Sequence, residues 1–486
     1  MKVLAAFVVN ALFNFVIGLI VAKFLGPEEY GRFALALALG LVIQTAVFDW
    51  IRLSAIRFYS ERTRSNEPQV RATLDTAFAL LAVGLATIAG AVLLSGVHFA
   101  LTNALVGLAV ATAVANGLFD YSTGLARARF DDHQYGRLVL VKNAFSLALT
   151  TGGAFVFGSA KMALLGAVVS ISGSIVAARR ALTDAHSEPA RANFDLGRSY
   201  LRYAMPIVAA NLLYLLIPFI NRSLVARYYG FAETGQFSLA FDLGLRAVQA
   251  IGSGLDVLLF QIAVAAHDTY GIERAKEQIA RNVTIVLAII APACVGVLLT
   301  LPSVEALVVP FDYRGPFGRY LTFMMPGLFA LTMINFAINP IFQIEKKTLP
   351  LIAAALIGCA GTPLLVHLLP RSADASNLAI AQSAAYVAAL LALVAFATAA
   401  RPRWPSASDL SKIALALGGM VLAIMPMRAW SPGIITLATQ VILGATIYGV
   451  IALALDIGAL RAPTLARMRA LVAGRTPRQG APLHEP

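Results

Sequence analysis

The sequence predicts an all-α membrane protein that crosses the bilayer many times. Hydrophobic residues make up 59% of its 486 residues and charged residues only 13%, whereas an ordinary soluble domain has about 45–50% apolar and about 25% charged residues. The apolar residues come in runs of about 20, which is the length that a helix needs to cross a bilayer. This composition excludes a soluble enzyme.

Fourteen apolar runs are separated by charged or turn-forming residues. A run of this kind can satisfy its backbone hydrogen bonds in lipid only as a helix. The predicted helices cover residues 3–22, 33–56, 74–95, 99–119, 138–157, 162–178, 203–226, 237–263, 282–301, 320–343, 349–369, 377–400, 412–427 and 433–456.

The Lys and Arg residues predict the orientation of these helices, because cytoplasmic loops are enriched in both. With the amino terminus inside, 26 of the 38 Lys and Arg residues fall in cytoplasmic segments, 8 fall in outward segments and 4 lie within helices. We therefore expect a multi-pass protein of the inner cell membrane with both termini in the cytoplasm. Topology thus accounts for the net charge of +13, and we expect no nucleic acid as a partner.

An internal repeat relates two parts of the chain. Residues 19–40 and 223–244 align without gaps at an offset of 204, with ten identities in 22 positions. Chance matching of apolar helices could explain the paired Ala and Leu residues, but not the paired glycines and glutamates of the loops. The pairs that define the repeat are Gly26/Gly230, Glu29/Glu233, Gly31/Gly235, Phe33/Phe237 and Gly40/Gly244.

This offset places the first predicted helix on the seventh and the second on the eighth. The chain therefore divides into two six-helix bundles, residues 1–200 and 201–400, two accessory helices in 401–460 and a basic cytoplasmic tail, 461–486. Because six is even, both bundles enter the membrane in the same direction, and such parallel halves place the substrate site of a transporter between them. We expect access to that site to alternate as one half rocks against the other.

Polar residues follow one face of the eighth predicted helix at spacings of three and four residues. They are Ser238, Asp242, Arg246, Gln249, Ser253 and Asp256. The offset maps the last three onto Thr45, Asp49 and Arg52 in the second predicted helix. Because polar groups that face lipid are costly, this face lines a hydrated passage or forms local ion pairs, Asp242 with Arg246 and Asp49 with Arg52.

Other polar side chains occur in three further predicted helices, and we expect them to line the same passage. They are Asn14, Asn211, Tyr214, Asn335 and Asn339. Arginine suits phosphate, because its planar guanidinium binds two oxygens at once. Arg52, Arg222 and Arg246 are therefore the candidate ligands of an anionic headgroup, although Arg222 could also snorkel to the outer surface. Lys142 is expected to snorkel inward.

Four features of the chain occur together. They are residues 25–33 (LGPEEYGRF), their echo at 229–237, the YAMP sequence at 203–206 and the division into six, six and two helices. In this combination the chain resembles the polysaccharide transporter family of Wzx-type oligosaccharide-lipid flippases, within the multidrug/oligosaccharidyl-lipid/polysaccharide exporter superfamily. The resemblance covers nearly the whole chain.

The resemblance implies a V-shaped pair of bundles that moves a polyprenyl-(pyro)phosphate-linked sugar repeat unit to the outer leaflet, for export of exopolysaccharide, O-antigen or capsule. Arg52, Arg222 and Arg246 would neutralise the lipid phosphate, and the last two helices would flank a groove for the polyprenyl tail. The implied partners are the lipid-linked oligosaccharide, membrane lipids and the polysaccharide polymerase or export machinery. No cofactor is implied, and the coupling ion, Na⁺ or H⁺, stays open.

Three alternatives need to be distinguished. A drug exporter of the same superfamily would use Asp49, Asp242 and Asp256, but it favours twelve helices. A lipid II flippase shares the helix count and a cationic cavity. An enzyme that polymerises glycans needs sizeable outward loops, whereas the longest one here, 302–319, is short, and neither a phosphate loop nor a metal-binding H-E-x-x-H motif occurs. We therefore expect a transporter and not an enzyme.

Overall fold

The computed structural model describes residues 2–59, 67–97, 100–183, 191–344, 348–370, 372–399 and 403–459, and every regular element in these ranges is helical. Helices α1 (2–25) and α2 (27–58) form one segment, Lys2–Phe58, which bends at Gly26. Gly26 has a φ of 68°, which glycine adopts without steric penalty. Pro27 follows because proline fits the first turn of a helix. The predicted loop at 23–32 is therefore a bend within helical chain.

The other helices follow in chain order. They are α3 (Gln69–Leu94), α4 (Asn103–Ala128), α5 (Asp132–Phe157), α6 (Ala160–Leu182), α7 (Phe194–Tyr228), α8 (Phe231–Tyr270), α9 (Ile272–Leu307), α10 (Pro316–Phe342), α11 (Leu349–Leu368), α12 (Ser376–Ala399), α13 (Ala407–Ile424) and α14 (Ile434–Ala454). Short π-helical turns interrupt α5 at Ser146–Thr150 and α10 at Ile334–Ile338.

The number of helices agrees with the prediction. Twelve segments of the described chain are long and apolar enough to span a membrane, and the first of them, Asn10–Phe58, contains parts of both α1 and α2. The 40-residue helix α8 adds one more. Dividing the first segment at Gly26 and including α8 gives fourteen helices in the ranges that the structure covers, which confirms the all-α multi-pass fold.

The first half of the chain (α1–α6) and the second half (α7–α12) touch in backbone contact where α2 and α8 begin. We call this end of the molecule the glycine end, after Gly26 and its counterpart Gly230, which also has a positive φ, 88°. A Cβ at Gly31 would overlap with the carbonyl oxygen of Phe231, and a Cβ at Gly235 would overlap with that of Pro27. The two contacts are reciprocal, because Phe231 and Gly235 lie 204 positions after Pro27 and Gly31.

The paired glutamates have matching roles at the same end. Glu29 accepts a hydrogen bond at 2.8 Å from the backbone N–H of Ala160, the first residue of α6. Glu233 accepts one from the backbone N–H of Ala375, directly before α12, and another from the hydroxyl of Tyr320. Each carboxylate thus satisfies a free amide at the positive end of a helix.

The last two helices pack on the second half along α9. Ala416 of α13 packs against Ala288 of α9, and Met420 packs against Leu299. The hydroxyl of Tyr448 in α14 donates a hydrogen bond of 2.6 Å to the carbonyl of Ala288. These contacts place α13 and α14 beside α9, on the outside of the second half.

The division into two repeat halves stays a prediction in its details. The predicted boundary between residues 200 and 201 falls inside α7, which begins at Phe194. Residues 400–402, at the next predicted boundary, and the predicted tail at 461–486 lie outside the described residues.

Candidate functional site

Arg246 lies near the middle of α8, and its side chain is exposed although it is far from both ends of the helix. Its guanidinium donates a hydrogen bond to the backbone carbonyl of Asn14 in α1. A Cβ at Gly18, one turn further along α1, would lie 2.9 Å from Nη1 of Arg246. Arg246 therefore reaches from the second half to the first, and it forms no ion pair within the described part of the chain.

Three asparagines form a hydrogen-bonded group beside this contact. The amide of Asn14 donates to Oδ1 of Asn10 at 3.1 Å, and the amide of Asn143 in α5 donates to the same oxygen at 3.0 Å. Asn143 is fully buried, and its own Oδ1 has no partner among the described residues. This group joins α1 to α5, and the Oδ1 of Asn143 is an acceptor that still lacks a donor among the described residues.

Lys142 precedes Asn143 and places a second cation near Arg246. Its Nζ lies 5.1 Å from the centre of the Phe119 ring, over the ring face. Lys142 is attracted electrostatically by Asp120 of α4 and repelled by Arg246. It forms no ion pair within the described ranges. The predicted inward snorkelling of Lys142 is therefore wrong, because the side chain stays within the bundle beside Phe119.

Two carboxylates of the first half, Asp49 and Asp120, are held by the polar face of α2. Arg52 and Asp49 form an ion pair at 2.6 Å, one turn apart on this helix. Gln44 donates a hydrogen bond of 2.6 Å to Oδ2 of Asp120, and Asp120 is attracted by both Arg52 and Lys142. The predicted local pair Asp49–Arg52 is confirmed, and Asp120 joins it as a second carboxylate.

Arg222 is buried in the second half and has a carboxylate partner. Only 6% of the residue is exposed, so it does not snorkel to the surface. It forms an ion pair with Asp242 and lies 5.4 Å from the centre of the Phe241 ring. Its Nη1 also approaches the carbonyl of Ala34 in α2 at 3.5 Å. The predicted pair Asp242–Arg246 does not form, because Asp242 pairs with Arg222 across α7 and α8.

The remaining predicted site residues are not all in one place. Thr45 and Tyr214 are buried, and the hydroxyl of Tyr214 has no partner among the described residues. Asn211 is exposed, whereas Gln249, Asn335 and Asn339 are half-buried. The side chains of Ser253 and Asp256 lie outside the described residues.

An apolar groove opens between α8, α9, α13 and α14. It has a volume of about 520 Å³, and its lining is almost entirely apolar or small. The residues that matter for its shape are Ile251, Ala293, Gly296, Met420, Gly444 and Tyr448. A flexible hydrocarbon chain is the kind of ligand that such a groove fits.

Asp120, Asn143 and Gln44 were missed by the sequence analysis. The predicted fourth helix ends at residue 119 because Asp120 interrupts the apolar run, whereas α4 continues to Ala128. A carboxylate is tolerated there because Gln44 and two cations face it. The signal in the sequence was the adjacent polar pair, Lys142 and Asn143, inside an otherwise apolar run.

The pattern of a family described as "Polysaccharide biosynthesis protein" matches residues 20–309, which is more than half of the chain. The chain belongs to this family. The predicted polysaccharide-transporter type of membrane protein is thereby confirmed, and no curated protein matches the chain.

Solved structures share the fold of this family member at low identity. "Lipid II flippase MurJ, inward closed conformation" matches with a TM-score of 0.70 at 13% identity, over 93% of this chain and 98% of that one. An inward-facing multidrug resistance MATE transporter of the MOP superfamily reaches 0.58 at 15% identity, over 79% and 93%. The MATE transporter DinF-BH reaches 0.58 at 14%, over 82% and 94%. By their titles these proteins are a lipid II flippase and multidrug transporters, and at this identity they show the fold that the chain shares with them.

Proposed function

We propose that the protein is a flippase that carries polyprenyl-(pyro)phosphate-linked oligosaccharide repeat units across the inner membrane for surface polysaccharide export. Arg246 carries this proposal. It is an exposed arginine in the middle of a long helix, it touches the opposite half at Asn14, and it has no ion-pair partner among the described residues. The family and the fold support the same class of function.

The geometry favours an anionic ligand at Arg246. An arginine at this depth needs an anion or water, because charge is costly in hydrocarbon, and its planar guanidinium suits phosphate oxygens. Arg52 and Arg222, which the sequence also predicts as phosphate ligands, are held by Asp49 and Asp242. We therefore place the phosphate in contact with Arg246, and assign to Arg52 and Arg222 a longer-range neutralising role.

The sugar portion would meet the amides of the same region. Asn14 and Asn143 both donate to Asn10, and the buried Oδ1 of Asn143 has no partner among the described residues. An unpaired buried oxygen favours a donor such as a sugar hydroxyl. Asn335, Asn339 and Gln249 on the opposite half are half-buried and offer further amides. This arrangement supports a sugar-linked substrate over a purely apolar one.

Alternating access fits the closed glycine end. The reciprocal contacts at Gly31 and Gly235 leave no room between the halves there. The hydroxyl of Tyr313 also donates a hydrogen bond of 3.0 Å from the second half to the carbonyl of Ala22. The Lys and Arg distribution assigns this end to the outside, so we propose that this state is closed outward and receives substrate from the cytoplasmic side.

The polyprenyl tail would lie in the apolar groove beside α9, α13 and α14. The groove also borders Ala247 and Val248, which adjoin Arg246 in α8. A lipid with its phosphate at Arg246 could therefore keep its tail in this groove during transport. This gives the two accessory helices a function that a twelve-helix transporter would not need.

A lipid II flippase is the first alternative. The TM-score of 0.70 with MurJ favours it over a drug exporter, because the MATE structures reach 0.58. A cation-coupled drug exporter would need available carboxylates. Asp49 and Asp242 are held by arginines, and this argues against the second alternative.

Deletion of the gene, with analysis of lipid-linked intermediates, tests the proposal. A flippase mutant should accumulate the complete sugar-loaded carrier inside the cell and lose surface polysaccharide. Accumulation of lipid II would instead identify the first alternative. Drug sensitivity with normal glycans and normal intermediates would contradict the proposal and favour the exporter.

A further inference from the structure

Several charged side chains in the described part of the bundle lie near groups of opposite sign. Asp49 pairs with Arg52, and Asp120 is attracted by Arg52 and Lys142. At the contact between the halves, by contrast, two cations, Lys142 and Arg246, lie near enough to repel each other. Neither of them forms an ion pair within the described residues.

Hydrogen bonds to two successive turns of α1 bring these two cations into the same region of the bundle. Arg246 bonds to the carbonyl of Asn14, and Asn143, next to Lys142, bonds to Asn10. Asn10 and Asn14 are one helical turn apart, which is about 6 Å along a helix axis. Two like charges that lie near each other repel in a low-dielectric interior, and an anion between them converts repulsion into attraction.

We propose that Lys142 is the second phosphate ligand, and that an arriving phosphate draws Lys142 away from Asp120. This inference rests on the proposed function, in which the substrate carries a lipid phosphate. Asp120 is suited to release Lys142, because it keeps its hydrogen bond from Gln44 and the attraction of Arg52. Asp120 is thus the resting counter-ion of Lys142 and not a permanent partner.

Lys142 is also suited to move between two anions. A lysine carries a compact charge on a flexible stem, and Lys142 has no ion-pair partner among the described residues while its Nζ rests over Phe119. Because Lys142 belongs to the first half and Arg246 to the second, a phosphate bound by both would link the halves. Substrate loading would then be sensed by the junction that has to move during transport.

Binding of a polyprenyl monophosphate to the purified full-length protein tests this role, with the uncharged polyprenol as the reference lipid. Lys142→Ala should weaken phosphate binding about tenfold or more, as expected for the loss of a charge-assisted hydrogen bond, without changing polyprenol binding. Lys142→Arg should restore most of the affinity. Lys161→Ala serves as the matched control, because Lys161 is exposed at the start of α6.

The direction in which Asp120→Asn changes the affinity for the phosphate lipid decides between an exchange of partners and a structural pair. If Asp120 competes with phosphate for Lys142, this variant should bind the phosphate lipid several-fold more tightly than the wild type. If Lys142 and Asp120 form only a structural pair, Lys142→Ala and Asp120→Asn should both bind the phosphate lipid with weaker or unchanged affinity. That result would overturn the proposed exchange. If the wild type binds the phosphate lipid but Lys142→Ala binds it equally well, the role of Lys142 is wrong while the flippase stands. If the wild type binds no phosphate lipid, the proposed function itself fails.

Discussion

Gly31 and Gly235 meet at the junction of the two halves, each at a position where a Cβ would overlap with a carbonyl oxygen of the opposite helix. The overlapping oxygens belong to Phe231 and Pro27, which are separated by the same 204 positions as the glycines. Side chains are thus excluded at both positions, so that two helices from different halves can lie in backbone contact. This contact closes the glycine end of the molecule.

Gly31→Ala should therefore open the glycine end. The added methyl group has no space against the backbone, and overpacking of this kind costs about 1–3 kcal/mol, enough to shift the balance of two conformations by roughly tenfold or more. Spin labels at Lys161 and Arg227, in a variant without the two native cysteines, would report the distance between the halves. We expect a longer distance in Gly31→Ala and in Gly235→Ala. Gly84→Ala is the control, because nothing lies within 4 Å of a Cβ there.

Arg246→Ala should stall polysaccharide export while the protein still reaches the membrane. The loss of a charged hydrogen-bond donor to phosphate costs about 1.5–3 kcal/mol, which weakens substrate binding roughly 10- to 100-fold. Arg246→Lys should keep part of the activity, since the positive charge remains but the planar guanidinium that binds two phosphate oxygens at once is lost. Surface polysaccharide and lipid-linked intermediates are measured together, with Arg274→Ala as the control because that side chain is 70% exposed. Normal export by Arg246→Ala would contradict the placement of the phosphate.

Asp242→Asn should destabilise the protein by about 3–5 kcal/mol, because it leaves the buried charge of Arg222 without a partner. Replacing both members by apolar residues, Arg222→Met with Asp242→Leu, should cost much less. Thermal unfolding of the purified variants in detergent measures the difference. If the single and the double variant unfold at the same temperature, the ion pair is not the reason for the burial of Arg222.

Gly296→Trp should obstruct the apolar groove without disturbing the helix packing. Gly296 lines the groove, and a Cβ there would meet nothing within 4 Å. Displacing about two CH₂ groups of a lipid tail, at about 0.8 kcal/mol each, should weaken binding of a polyprenyl lipid roughly tenfold. Gly84→Trp adds the same side chain at an open position of α3 and should bind the lipid like the wild type. If both variants bind the polyprenyl lipid equally well, the tail does not lie in this groove.

Some parts of the site follow from sequence patterns, and others do not. The Asp49–Arg52 pair was predictable because both residues lie on one helix, one turn apart. The partner of Asp242 was not predictable. Arg246 lies four residues away on the same helix, whereas Arg222 lies on a neighbouring helix, and only the packing of the two helices shows that Arg222 is the one in reach. Asp120 interrupts an apolar run, and the predicted fourth helix therefore ends before it. The hydrogen bond from Gln44 that stabilises Asp120 inside the helix spans 76 residues of sequence, so no local pattern indicates it.

Composition, periodicity and charge bias determined by themselves that this chain is a bundle of fourteen membrane-length helices, and the offset of 204 already singled out the glycines and glutamates at the junction. These properties are local, because the length of an apolar run and the conformation of a glycine depend on few neighbours. Only the tertiary structure decided which charges form ion pairs and which two cations, Lys142 and Arg246, lie near each other and form none among the described residues. Ion pairing depends on distances between helices, and helices from distant parts of the chain acquire those distances only when they pack.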